Sequence, residues 1–427
     1  MIFTNIYRRF DLPILIGLYL FALPFRSLIW YPLFVMSVTG ISLFISYFRK
    51  GIFDESVKWL FYLAACLWIP GIISLVDSVS FSRTLQYVVT LPLFAFVGVF
   101  VAIRLRTHAK TEDVATVIIS ITVFWLLTVL WQVLLPAQNP FGVGGSHNQG
   151  IHSATANGGL MLGVILGSMF PFIVYYFFHR KNYLIAVISA FVLLAAIMLS
   201  GTRSAWLSAF TSIIVTIFIF LFRVRPSIKQ TLIIFFGTVF IAFFGLKTLS
   251  IYSPALEQRI AYSLAFFNEP SFKSFEYSSS GRGSIWRDAF NMGVDNPVNG
   301  IGANSFRIAH PNYMQSDSEK FKYDWPQTDG STLLIGASHP HQIILDAFSS
   351  TGFIGLIGLI ILFVLVLKQT WLAITGTSIL FIGVALSFWG VFSPLNTHNN
   401  LFGGWVMGWM WLWLGLLAGV SSSFNRR

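Results

Sequence analysis

The sequence predicts an all-α polytopic membrane protein of about twelve transmembrane helices, with one large loop on the non-cytoplasmic side. Three observations carry that expectation. Hydrophobic residues make up 56% of the 427 and charged residues 10%, with a mean hydropathy of +0.74; soluble domains carry about 25% charge. Apolar runs of roughly 18 residues or more recur, without the period-two alternation of membrane barrels. Lysines and arginines stand singly or in pairs between those runs, as topology signals do. The net charge of +11 is therefore spread along the membrane boundaries, and no nucleic-acid surface is expected.

Taken in order, the apolar runs place spans near 10–25, 28–48, 59–76, 85–103, 114–135, 158–178, 183–200, 205–222 and 232–250, then 343–367, 371–393 and 401–420. Pro24 and Arg26 interrupt the first two. Putting the N-terminus in the cytoplasm collects Arg8, Arg9, Arg49, Lys50, Lys58, Arg104, Arg106, Lys110, Arg180, Lys181, Arg223, Arg225, Lys229, Lys368, Arg426 and Arg427 on the inside. The short outside connections then hold only Arg26, Arg83 and Arg203, with Lys247 near an outside helix end. That asymmetry predicts both termini in the cytoplasm. Arg8 and Arg9 precede an apolar run that lacks a small-residue cleavage site, so a retained first span is expected rather than a signal peptide. Cys66, the single cysteine, lies in an apolar run and excludes an intramolecular disulfide.

The chain thus divides into 1–250 with nine helices, a polar loop domain at 251–342, and 343–427 with three helices. The loop holds Phe266, Phe272, Phe275, Trp286, Phe290, Phe306 and Trp325, enough aromatic area to pack down on a surface. Ser284 to Val294 reads as a short amphipathic helix with Ile285, Trp286, Ala289, Phe290 and Gly293 on one face. Asn296-Pro297 ends it and Gly300 and Gly302 supply a turn.

Topology puts the candidate chemistry on one side. Arg203 lies in Ser200-Gly201-Thr202-Arg203-Ser204, between the seventh and eighth spans. It admits two readings: an interfacial anchor reaching headgroups, or, with small neighbours leaving amides open, part of an anion site. Arg282 stands between two glycines at a helix start, where backbone N–H groups and a guanidinium fork suit phosphate oxygens; a solvated loop is the plain alternative. Arg287 and Arg307 are further candidates, Arg287 also being placed to pair with nearby acids. His339 and His341 immediately precede the tenth span. A His-x-His pair can hold a metal, but the loop offers no third ligand at metal spacing, and His147 and His152 belong to another connection. Histidine is better read as a proton acceptor near neutral pH. No metal and no cofactor are expected, and no Walker loop, dinucleotide fingerprint or Gly-x-Ser-x-Gly elbow occurs. A reaction on this face needs a substrate that arrives activated.

The motif order is Gly201-Thr202-Arg203-Ser204-Ala205, Gly281-Arg282-Gly283 with Trp286, Asn296-Pro297-x-x-Gly300-x-Gly302, then His339-Pro340-His341-Gln342 with Leu345, Gly352 and Gly355. It resembles the O-antigen ligase and O-antigen polymerase superfamily of bacterial inner-membrane glycosyltransferases. In that family an asparagine usually follows the histidine, where this chain has Gln342; register with Leu345 and Gly352 favours His341 over His339 as the matching residue.

The resemblance implies a multi-helix fold related to lipid-carrier (GT-C-like) glycosyltransferases, with a periplasmic loop over the active site. It implies metal-independent, inverting transfer of a glycan from undecaprenyl diphosphate to a sugar hydroxyl of the lipid A-core. His341, with His339 second, would be the general base and Arg203 and Arg282 would hold the diphosphate. The partners implied are the lipid-linked donor, the lipid A-core acceptor and membrane lipids. An O-antigen polymerase or a protein O-oligosaccharyltransferase is the alternative. A secondary transporter fits less well: it calls for ionisable groups at mid-membrane, which these spans scarcely contain, and has no need of so large an outside loop.

Overall fold

A computed structural model describes residues 2–23, 28–52, 54–134, 162–200, 202–224, 254–316, 318, 323–326, 332–395 and 400–421. The protein is an all-α polytopic membrane protein. Its first eight helices are α1 (Ile2–Ala22), α2 (Trp30–Arg49), α3 (Glu55–Ile73), α4 (Phe81–Thr107), α5 (Thr111–Leu134), α6 (Leu162–His179), α7 (Tyr183–Leu199) and α8 (Arg203–Val224). Then come α9 (Pro254–Asn268), α10 (Phe272–Ser279), α11 (Arg282–Asp295), the short α12 (Phe306–Ala309), and an antiparallel pair, β1 (Tyr323–Pro326) and β2 (Thr332–Ile335). The chain closes with α13 (Ile343–Thr375), α14 (Ile379–Phe392) and α15 (Gly404–Val420).

Among the described residues, 7 helices are long and apolar enough to cross a membrane by length and composition: α2, α3, α4, α5, α6, α8 and α13. The remaining predicted spans fall on shorter apolar helices, Asp11–Ala22, Tyr183–Met198, Ile379–Phe392 and Gly404–Val420, except the ninth, 232–250, which lies outside the described residues. One expected boundary moves. The break placed near Lys368 is continuous helix, and the helix stops instead at Gly376, with the Ser378 side chain accepting from Phe381 N–H at 3.3 Å to start α14. Arg223 donates to the last carbonyls of α13, Ala373 at 3.1 Å, Ile374 at 2.7 Å and Gly376 at 2.6 Å, as a cation at a helix C-terminus should.

Large apolar side chains fill the bundle centre. α4 packs against α2, α3 and α15, and α6 against α7, α8 and α14. Trp409, Trp411 and Trp413 on α15 are fully buried. Salt bridges Arg104–Asp11 at 2.8 Å and Arg106–Asp54 at 3.0 Å tie the helices at one end.

At the other end the polar stretch docks. It has its own apolar cluster of Ile285, Ala289, Met292, Ile301, Phe306, Ala309 and Ala337, which Leu345 of α13 joins. The expected helix is present as α11, with Ile285, Ala289 and Gly293 buried as expected and the two aromatic rings placed differently. Ile285, Asp288, Ala289 and Met292 point inward, whereas Phe290 is half exposed and touches Phe348, and Trp286 meets Phe275. Aromatic rings here reach sideways to neighbouring helices rather than into the small core.

The Asn296–Gly302 motif has a structural task. α13 breaks at Gly352, whose φ of 62° and ψ of −158° suit glycine alone. The break frees backbone groups, and the motif satisfies them. Phe353 N–H donates to Pro297 O at 2.7 Å, while Ile301 and Gly302 N–H donate to Ser349 O at 2.9 Å and Ser350 O at 3.0 Å. A Cβ on Gly352 would lie 2.4 Å from the Val298 carbonyl. Gly352→Ala is therefore expected to cost about 1–3 kcal/mol from backbone conformation alone, read as a lower melting temperature in detergent.

The same motif also grips the α3–α4 turn. Val79 N–H donates to Ile301 O at 2.9 Å, Thr84 Oγ1 to Ala303 O at 2.9 Å, and Asn299 Nδ2 to Asp77 Oδ2 at 2.9 Å. With Arg203 at the α7–α8 turn and Gln342 Nε2 donating to Pro394 O at 3.2 Å, the polar stretch gathers three connections at one end of the bundle. Basic-residue counting assigns all three to a single side.

Candidate active site

Arg203 is the first residue of α8. Part of the turn around it is already hydrogen-bonded. Ser200 Oγ donates to Ile197 O at 2.6 Å and accepts from Thr202 N–H at 3.3 Å, and Ala205 and Trp206 N–H donate to Thr202 O. Ser200, Thr202 and Ser204 are buried; Gly201 lies outside the described residues. What the turn presents is the guanidinium, which donates to the carbonyls of Tyr277 at 3.4 Å and of Ser278, and to Ser280 Oγ.

Those acceptors form the turn that delivers Arg282. Helix α10 begins with a capping box of Ser271 and Ser274 and ends at Ser280, φ 63°. Gly281 follows at φ 78°, and two consecutive left-handed residues reverse the chain into α11. The helix N-terminus expected to receive a phosphate is already occupied: Arg282 and Gly283 N–H donate to Ser279 Oγ at 3.2 and 3.3 Å, and Ser284 N–H to the Glu276 carboxylate. A carboxylate there satisfies the same orphan amides. At this helix end an anion is left to side chains. Arg282 is half-buried, and burial together with the positive charge of Arg203 pushes its guanidinium down to about 10. It stays cationic at neutral pH, and two cations held near each other favour an anion between them.

The histidines come from the segment after β2. Gln342 caps α13, its Oε1 accepting from Leu345 N–H at 2.7 Å and its Nε2 donating to Pro394 O at 3.2 Å. His341 has φ 58°, uncommon for a side-chain-bearing residue, and its ring centroid lies 3.9 Å from that of His339. His339 Nδ1 and Ser338 Oγ are hydrogen-bonded at 2.8 Å. Sequence order does not by itself predict the left-handed backbone at His341.

Arg287 and Arg307 take other places. Arg287 donates through Nε and Nη2 to Asp288 Oδ1 at 3.2 and 3.0 Å, the acid pairing already open to it in the sequence. Arg307 accepts Gly336 N–H on its carbonyl at 2.9 Å, next to the histidine segment. Asp288 and His310, both fully buried, meet at 3.3 Å. Nothing in the sequence singles out this pair.

A groove of 360 Å³ runs between α8, α13 and α14. It starts at Leu207, one turn below Arg203, and extends past Phe218 and Trp371; Ser393 and Leu395 line it beside Pro394, the residue bonded to Gln342. The walls are almost wholly apolar. One end of it is thus bordered by the Arg203 turn and by the connection that holds Gln342.

Residues 188–360 match the family model described as O-antigen ligase. That stretch is similar to O-antigen ligases. The match covers less than half of the chain and supports a ligase-type glycosyltransferase. It extends from within α7 to the middle of α13, so Arg203, Arg282, Arg287, Arg307, His339 and His341 all fall inside it. No curated protein matches the chain.

Proposed function

We propose that the protein is an O-antigen ligase of the bacterial inner membrane. In this reading it transfers a glycan from undecaprenyl diphosphate to a sugar hydroxyl of the lipid A-core, with inversion, on the periplasmic face. Twelve spans with both termini cytoplasmic complete the topology, and residues 251–342 form the periplasmic domain. One observation carries the site assignment: Arg203, from the membrane bundle, is hydrogen-bonded to the turn that presents Arg282.

The chemistry follows from charge. As the anomeric carbon–oxygen bond breaks, negative charge grows on the departing diphosphate, and Arg203 and Arg282 are suited to stabilise it. The acceptor hydroxyl gives its proton to His341 while its oxygen attacks the anomeric carbon from the opposite face. His339, in ring contact, supports His341. The apolar groove below Arg203 suits the polyprenyl tail, whose head would then lie beside the arginines. The closely packed loop helices would keep water from the activated sugar.

The test is reconstitution. The purified chain in proteoliposomes, given a polyprenyl-diphosphate-linked glycan and lipid A-core, is expected to form glycosylated core and release polyprenyl diphosphate, with the rate unchanged in EDTA. Movement of the intact donor without bond cleavage would replace the enzyme reading with a transporter.

A further inference from the structure

The fully buried pair Asp288 and His310 has no part in the transfer chemistry above, yet its bonds lead to both halves of the site. Asp288 sits on α11, the helix that begins with Arg282. Its Oδ1 accepts from Arg287 and its Oδ2 faces His310 Nε2 at 3.3 Å. On the other edge of the ring, Ala337 N–H donates to His310 Nδ1 at 2.9 Å. A ring nitrogen that accepts an N–H carries no proton, so the proton is on Nε2 and is donated to Asp288. One imidazole therefore joins a carboxylate on the Arg282 helix to a backbone amide two residues before His339.

The surroundings allow the ring little freedom. It stacks on Phe306 with centroids 5.1 Å apart and planes 24° from parallel. Gly336 passes so close that a Cβ there would lie 2.4 Å from Nδ1. The Gly336 amide is itself bonded to Arg307 O, so two consecutive amides of the segment leading to His339 and His341 are held in place.

We propose that His310, oriented by Asp288, is a positioning residue that fixes the His339–His341 segment relative to Arg282 through its bond to the Ala337 amide. The proposal rests on the reading of His341 as base and Arg282 as diphosphate ligand. Its physical basis is that reacting groups displaced by about 1 Å lose about 100-fold in rate. A buried linker that must donate at one edge and accept at the other suits a neutral imidazole, and a primary amide, although it both donates and accepts, reaches only one of the two edges. Asparagine carries its oxygen near the Nδ1 position, whereas the longer glutamine carries its amide nitrogen near Nε2.

That difference provides the test, on the full chain in proteoliposomes. His310→Gln keeps a donor for Asp288 and loses the acceptor for Ala337; kcat is expected to fall about 100-fold, with little change in KM for the lipid-linked donor. His310→Asn keeps the acceptor and should retain clearly more kcat than the glutamine variant. Melting temperatures should rank the other way, because His310→Asn leaves a buried carboxylate oxygen without its partner. A purely structural role would make kcat and melting temperature fall in the same order, and that result overturns the proposal. If neither variant folds, Gly336→Ala presses on the Nδ1 edge while sparing the Asp288 bond; reduced kcat at unchanged KM supports the proposal and wild-type kcat overturns it. Full activity in His341→Ala would defeat the underlying reading instead. Loss of activity there, with wild-type kcat in both His310 variants, would defeat this proposal alone.

Discussion

Replacing His341 with alanine is expected to lower kcat for glycan transfer by about 10²–10⁴, the range spanned by a positioned general base, while the lipid-linked donor still binds. The separation follows from geometry. His341 belongs to the segment entering α13, and the proposed diphosphate ligands come from α8 and α11. Removing the base leaves the anion site intact, so KM for the donor should move little. The left-handed φ of 58° is commoner for histidine than for alanine, so the variant's melting temperature is measured beside its rate. His339→Ala should cost less, since in this reading it acts only through its ring contact. Single-turnover transfer alongside donor-binding measurements separates the two effects. Full activity in His341→Ala would remove the proposed base.

Arg282→Ala is expected to reduce transfer by about 10²–10³, the usual effect of losing one fixed group that stabilises developing negative charge, and to weaken donor binding as well. Its effect on stability should run the other way. In the folded protein, burial and the Arg203 charge both act against the Arg282 cation, so deleting it removes a desolvated charge from a like-charged neighbour. Alanine also suits the first position of a helix. A melting temperature equal to or above wild type, combined with lost activity, is the signature of a charge kept for function. Arg203→Ala should differ, because Arg203 also bonds the 277–280 turn to the bundle; stability and activity should fall together. Arg203→Lys keeps the charge but not the planar fork, and should recover donor binding only in part. An Arg282→Ala protein that melts well below wild type and transfers normally would contradict the assignment.

The bundle was largely legible because apolar length is a strong local signal. The end of α13 was misplaced near Lys368, since a single lysine inside a membrane helix resembles a connection until Gly376 and Ser378 are weighed as stop and start. The gathering of Arg203 with the Arg282 turn followed from motif order and sidedness. The way the anion site is built did not, because Glu276 fills the α11 N-terminus from a position earlier in the chain. The glycine motif at Gly300 and Gly302 reads as a turn, but its partner, the break at Gly352, becomes evident only when the carbonyls of Ser349 and Ser350 are seen to need donors. Asp288 and His310 were unreadable for a related reason. A polar helix with Trp286 and Phe290 suggests burial of the rings, and nothing local shows that the acid faces inward to meet a histidine on another segment.

The central claim is that this chain joins a lipid-linked glycan to lipid A-core, and the lipopolysaccharide of a deletion strain tests it most directly. The expected result is complete core without O-antigen, accumulation of lipid-linked polymer, and restoration by the wild-type chain but not by His341→Ala. Core bearing a single repeat unit would contradict a ligase and identify a polymerase instead.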